Sequence, residues 1–222
     1  MLEATPHDRW FFSALAFTVV VLVVAGFAPS FYARDWFMPA APLPPVVQAH
    51  GIIGTAWVLL FALQVALVAR ARVQWHRRVG VLGAVLTVAF VATGALLIAA
   101  FERTHGAEPR GVLYAHLFTN GAPLAAFGLL AAAGIWQRRI AVRHKRLMLL
   151  AAVVLLPPAI GRLFGQLGLA HLNLPVYAGF AFACAGFDWS TRGRPHAISL
   201  LGGAALVAID VAATAWLAAV GS

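Results

Sequence analysis

The sequence predicts an all-α integral membrane protein: one domain over residues 1–222, folded as a seven-transmembrane-helix bundle with its N-terminus cytoplasmic and its C-terminus outside. Three observations carry this. The chain is 62% hydrophobic and 10% charged, whereas a soluble domain is roughly half apolar and about a quarter charged. Its apolar residues gather into seven runs, each near the ~20 residues needed to cross ~30 Å of hydrocarbon. Its basic residues fall in alternate connections between those runs.

The first run, 10–28, is long enough to span. Ser30-Phe31-Tyr32-Ala33 behind it is a poor cleavage site, so a retained helix is expected rather than a signal peptide. The longest connection follows, from Pro29 to Pro45. Its Phe31, Tyr32, Trp36 and Phe37 suit a segment lying on the outer interface. The next runs are 46–69, 79–101 and 112–136. The fifth, 147–167, is interrupted by Pro157-Pro158 and carries Arg162. The sixth, 173–189, has the shortest uninterrupted apolar core, Pro175 to Phe187, and the seventh is 197–219. No strand-like alternation appears, and within lipid only helices and closed barrels satisfy their own backbone.

Charge placement sets the orientation. Arg9, then Arg70, Arg72, Arg77 and Arg78, then Arg138, Arg139, Arg143, Lys145 and Arg146, then Arg192 and Arg194 put twelve cations on one side. The other side has Arg34, Arg103 and Arg110. The basic side is therefore cytoplasmic, and Trp10, Trp75, Trp136 and Trp189 fall at those same helix ends. A bacterial inner (plasma) membrane, crossed many times, is the expected location. The formal net charge of +9 then serves topology and anionic lipid headgroups. There is no Gly-rich phosphate loop, no paired cysteines of zinc type and no basic region interleaved with exposed aromatics, so nucleic acid is not an expected partner. The lone Cys184 has no partner for an internal disulfide.

Five of the eight histidines fall into two layers. His50 opens the second run and His116 lies early in the fourth; counted from Arg70 and Arg138, both sit at the same depth toward the outer face. His76, His144 and His196 lie at the cytoplasmic starts of the third, fifth and seventh runs. His7 and His105 are expected in solvated segments, and His171 just outside the sixth run. Small residues follow the candidates closely: Gly51 and Gly54, Gly80, and Gly121.

The entries His76-Arg77-Arg78-Val79-Gly80 and His144-Lys145-Arg146-Leu147-Met148-Leu149-Leu150-Ala151, with Pro157 to Arg162 beyond, resemble those of a group of uncharacterised bacterial polytopic membrane proteins over most of the chain from His50 to His196. That resemblance brings no activity. The order and alternation of His50, His76, His116 and His144 more loosely resemble the dihaem, ascorbate-dependent transmembrane cytochrome b family. There four consecutive helices supply one ligand each, first pairing with third and second with fourth. The resemblance implies a haem-b electron-transfer protein or membrane oxidoreductase. It makes His50 and His116 ligands of an outer haem, His76 and His144 ligands of an inner one, and the arginines partners of propionates. Two departures are plain: that family has six spans, and its ligands lie deeper than His76 and His144, which sit among arginines.

Other readings of the same residues remain open. The histidines also suit hydrogen-bonded helix starts and a basic interfacial rim. His76, His144, His196 and Asp188 form a weaker alternative, a zinc or copper site; helix N-termini and surrounding cations oppose a dication there and favour an anion. Within the hydrocarbon, Arg162 needs a partner. Asp210 lies about as far into the seventh run as Arg162 into the fifth, so an Arg162–Asp210 ion pair is expected, serving as a clamp between helices or, at Arg162, as an anion or haem-propionate site or charge gate. A non-redox transporter, lipid-binding or assembly factor, with a polar cavity around Arg162 and Asp210, is the alternative function. No Ser/His/Asp arrangement points to a hydrolase.

Overall fold

The computed structural model describes residues 6–37 and 42–220, and the regular structure in those segments is all helical. The elements are α1 (Pro6–Phe27), running into a π-turn (Ala28–Tyr32), then α2 (Arg34–Phe37), α3 (Pro45–Ala69), α4 (Val73–Thr104), α5 (Arg110–Trp136), α6 (Ala141–Val153), α7 (Pro157–Gln166), α8 (Asn173–Arg192) and α9 (Ala197–Val220). Every apolar run coincides with a helix or, for the fifth, with the pair α6 and α7. Among the described residues five helices are long and apolar enough to cross a membrane: α1 with its π-turn, α3, α4, α5 with the turn that follows it, and α9. A sixth crossing is obtained if α6 and α7 count as one bent span. Twenty-residue α8, which carries Asp188 and Arg192, is not among them.

Prolines and one glycine set the helix ends. Pro45 and Pro157 open α3 and α7, where the missing N–H has no intrahelical partner to lose. Pro29 cannot donate to the ladder of α1, and the helix widens there so that Ala33 N–H reaches Ala28 O at 2.7 Å. Pro157 and Pro158 interrupt the fifth run, bending α7 by 41° from α6. Gly193 closes α8 at φ +70°, the left-handed conformation glycine adopts without strain.

Consecutive helices pack as hairpins, α3 with α4, α5 with α6 and α8 with α9, while α1 packs on α3 and α7, and α5 on α9. The bent pair is the axis of the bundle. Leu149 through Val154 are six consecutive buried residues, followed by Leu156, Ala159 and Ile160. A helix buried all round must be enclosed by neighbours, and α6 touches α1, α5, α8 and α9. In contrast, α4 buries only Thr87 and Gly94 over 32 residues, so it stands at the periphery. Across the α8–α9 contact, Gly203 lies so close to Ala181 that a Cβ there would stand 2.5 Å from the Ala181 carbonyl oxygen.

Candidate functional site

Two adjoining groups of polar residues lie at the basic end of the bundle. The first is built by four helices. His76 on α4 and His144 on α6 bring their rings to 6.0 Å between centroids, at 80° to each other. Gly134 on α5 leaves room for Met148 of α6, and its carbonyl accepts a 2.8 Å hydrogen bond from His144 Nδ1. That bond fixes the tautomer: Nδ1 carries the proton and Nε2 keeps its lone pair. On the other side, Gln64 of α3 faces His76. With its amide oxygen accepting from Gly80 N–H (3.0 Å), its nitrogen donates to the His76 carbonyl (3.0 Å) and to His76 Nδ1 (2.5 Å). In that orientation the neutral His76 ring holds its proton on Nε2.

The second group is a buried ion pair. Arg146, two residues beyond His144, is wholly buried, as are Asp188 of α8 and Ser199 of α9. Arg146 Nε donates to Asp188 Oδ2 (3.0 Å) and Ser199 Oγ (3.1 Å), and Nη2 donates to Asp188 Oδ1. Nη1 donates to the Val142 carbonyl at 2.7 Å. Asp188 Oδ2 also accepts from Ser199 Oγ (2.8 Å) and from the His196 backbone N–H (3.2 Å). Both carboxylate oxygens are thus engaged, and three helices are tied at one point. A second link, Lys145 Nζ to Asp8 Oδ1 at 2.6 Å, joins α6 to α1.

The expected outer pair is not assembled. His50 stacks on Phe90 at 4.2 Å and bonds Thr93 Oγ1 through Nδ1 at 3.0 Å. His116 stacks on Phe101 at 3.5 Å, and His105 stacks on the same ring. Both partners lie on α4, eleven residues apart, which is about 16 Å of rise. At Gly94, His50 meets Leu124 of α5, eight residues beyond His116, so His116 lies about 12 Å further along the axis than His50. Counting from the basic loops misjudged their depth, because the count ignores how the helices are staggered. The two glycines that follow His50 are covered as well: the Phe31 ring lies over Gly51 and the Phe90 ring over Gly54.

Nor do Arg162 and Asp210 meet. Arg162 is exposed, about one turn before the end of α7. It donates to the Pro158 carbonyl at 2.9 Å and stands 4.6 Å over the Phe27 ring. Its guanidinium folds back along α7 onto that carbonyl and the Phe27 ring, and these contacts stand in place of the expected ion pair. Asp210 is half-buried on α9, near the Tyr177 hydroxyl. The weaker metal alternative also fails: Asp188 is taken by Arg146, and among the described residues no three His, Cys, Asp or Glu side chains converge on one point. His171 is exposed in the turn before α8.

Sequence reasoning therefore missed Arg146, which it assigned to the basic loops, together with Ser199 and Gln64. No protein-family model, no curated protein and no solved structure matches this chain.

Proposed function

We propose that this chain is a seven-span membrane protein with a cytoplasmic N-terminus that carries electrons through one b-type haem, held between His76 and His144. The observation that carries the reading is the 6.0 Å separation of the two rings. Two imidazoles on one metal, each at about 2.0–2.1 Å through a ring nitrogen, would have their centroids at about that distance. His144 already has the hydrogen bond that ligating histidines characteristically make, Nδ1–H to a backbone carbonyl. For His76 to reach the same state the Gln64 amide would have to turn over, giving up its bonds with the Gly80 N–H and the His76 carbonyl so that Oε1 accepts from Nδ1–H. Gly80, one turn past His76, has only Gln64 within 4 Å of its side-chain face, at 3.9 Å, which leaves that flank open to a flat macrocycle. Arg77, Arg78 and Arg143 are near in sequence and suit propionates. Seven crossings and this orientation are supported by the twelve-to-three distribution of basic residues.

A haem with two imidazole ligands supplies one-electron transfer and has no open position for oxygen. The chain's own residues would set its properties: Gly134 and Gln64 fix the ligand rings, and the Arg146–Asp188–Ser199 knot anchors the helix that bears His144. The outer histidines do not fit a second haem in this arrangement.

One observation favours the non-redox alternative. With Gln64 donating to His76, the two rings present a donor (His76 Nε2–H) and an acceptor (His144 Nε2), which suits a water or a neutral polar ligand. Spectra separate the two. The full chain, purified in detergent from cells supplied with haem precursor, is expected to show a reduced b-type spectrum with dithionite. That spectrum should disappear in His76→Ala and His144→Ala and persist in His50→Ala and His116→Ala. A colourless preparation overturns the haem reading, and loss only in the outer variants moves the haem to the other end.

A further inference from the structure

We infer that the cleft at the α8–α9 turn binds the phosphate of an anionic lipid headgroup. The cleft has a volume of about 260 Å³ and is lined by Arg192, Arg194, Pro195 and His196. At ~30 Å³ per water that is room for several waters or for one phosphodiester with part of its alcohol. The inference depends on α8 and α9 reaching the membrane surface and is independent of haem.

The shape of the turn gathers the cations. Gly193, in the left-handed conformation, reverses the chain between Arg192 and Arg194, and Pro195 carries it into α9 at Ala197. Among the described residues the carboxylate close by is Asp188, which is shared among several donors and pairs only loosely with Arg192. Asp188 accepts from Arg146, Ser199 and the His196 N–H, and Arg192 Nε stays 4.0 Å away, beyond hydrogen-bond reach. His196 Nδ1 accepts from Ile198 N–H at 3.1 Å, so its neutral ring carries a proton on Nε2 that it can donate. Arginine forks match phosphate oxygens in geometry as well as charge. The surroundings distinguish a lipid from free phosphate. Trp189, one turn before Arg192, is 66% exposed, and Leu200 and Leu201, one turn into α9, are 44% and 67% exposed. Large apolar side chains beside a cationic cleft suit an acyl chain under a headgroup.

The experiment uses the full chain in detergent, with native mass spectrometry reading retained lipid and a thermal-shift assay reading stabilisation. Phosphatidylglycerol, phosphatidylcholine and inorganic phosphate are added separately. Phosphatidylglycerol should be retained and stabilising, and phosphatidylcholine should not. Arg192→Gln with Arg194→Gln should weaken phosphatidylglycerol retention about tenfold or more, as losing charge-assisted hydrogen bonds requires. Arg138→Gln with Arg139→Gln, at another basic turn, should leave it unchanged. Equal retention of both lipids by the unaltered protein overturns the inference without reference to any variant. Equal losses in the two double variants overturn it as well, because they indicate unspecific attraction to the basic surface. If inorganic phosphate stabilises as strongly as the lipid, the site takes free phosphate and the lipid assignment is overturned.

Discussion

Replacing Arg146 with methionine leaves the Asp188 carboxylate buried without its close countercharge, although Ser199 Oγ, the His196 N–H and, at 4.0 Å, Arg192 Nε still reach it. Both members of the pair are wholly buried. Removing one partner of a buried pair costs about 3–5 kcal/mol, which is a large fraction of a typical total stability of ~5–15 kcal/mol. Asp188→Asn should fall in the same range, since Arg146 then keeps only its bonds to Ser199 and Val142 and an amide in place of the carboxylate. The double variant behaves differently. Asparagine Oδ1 still accepts from Ser199 and from His196 N–H, and no bare charge remains. Its cost should be nearer ~1–3 kcal/mol, the range for imperfectly satisfied neutral groups. Arg146→Met/Asp188→Asn is therefore expected to be more stable than Arg146→Met alone. The assay is unfolding in mixed micelles by titration with a denaturing detergent, followed by tryptophan fluorescence. Additive single effects, with the double variant the least stable of the three, would show that the two residues are not coupled and refute the reasoning.

Three further outcomes follow from the packing and the charges. Arg162→Ala and Asp210→Ala should be additive in the same titration, because Arg162 is engaged by the Pro158 carbonyl and the Phe27 ring rather than by Asp210; a double variant as stable as either single would restore the ion pair. Gly203→Ala should cost about 1–3 kcal/mol by forcing α9 off the Ala181 carbonyl, whereas Gly179→Ala, with nothing within 4 Å of its side-chain position, should be near neutral; equal effects would mean that α8 and α9 do not pack closely. Burial, then the Arg146 guanidinium, with Arg192 and Arg143 adding to it and Asp188 opposing, holds His196 below its ordinary value of about 6.5. The folded state then binds fewer protons than the unfolded one, so stability present above pH ~6.5 is lost as the pH falls through the lowered value. His196→Asn, which can still accept from Ile198 N–H, should make the decline between pH 7 and pH 5.5 shallower; an unchanged decline assigns it to other groups.

The helix limits were legible because lipid imposes a length and because Pro and Gly mark the ends: the run read as 46–69 is Pro45–Ala69, and 197–219 is Ala197–Val220. The layers of histidines were legible only in part. Residue counts give position along a helix but not stagger between helices, so His76 and His144 meet while His50 and His116 stand about 12 Å apart in depth. The same limit misplaced the intramembrane charge. Arg162 attracted attention because it interrupts an apolar run, yet it lies near the end of a short, bent helix, where the Pro158 carbonyl one turn back and the Phe27 ring hold its guanidinium. The buried arginine was Arg146, disguised by membership of a cationic cluster. A signal for it did exist: Arg146, Leu149, Leu150 and Val153 follow the i, i+3, i+4, i+7 spacing of one helix face, and all four are buried. An arginine in register with the apolar stripe of the bundle's central helix cannot point into water with its basic neighbours. It must find a carboxylate inside, and Asp188, the one acidic residue in the apolar run of α8, is where that requirement leads.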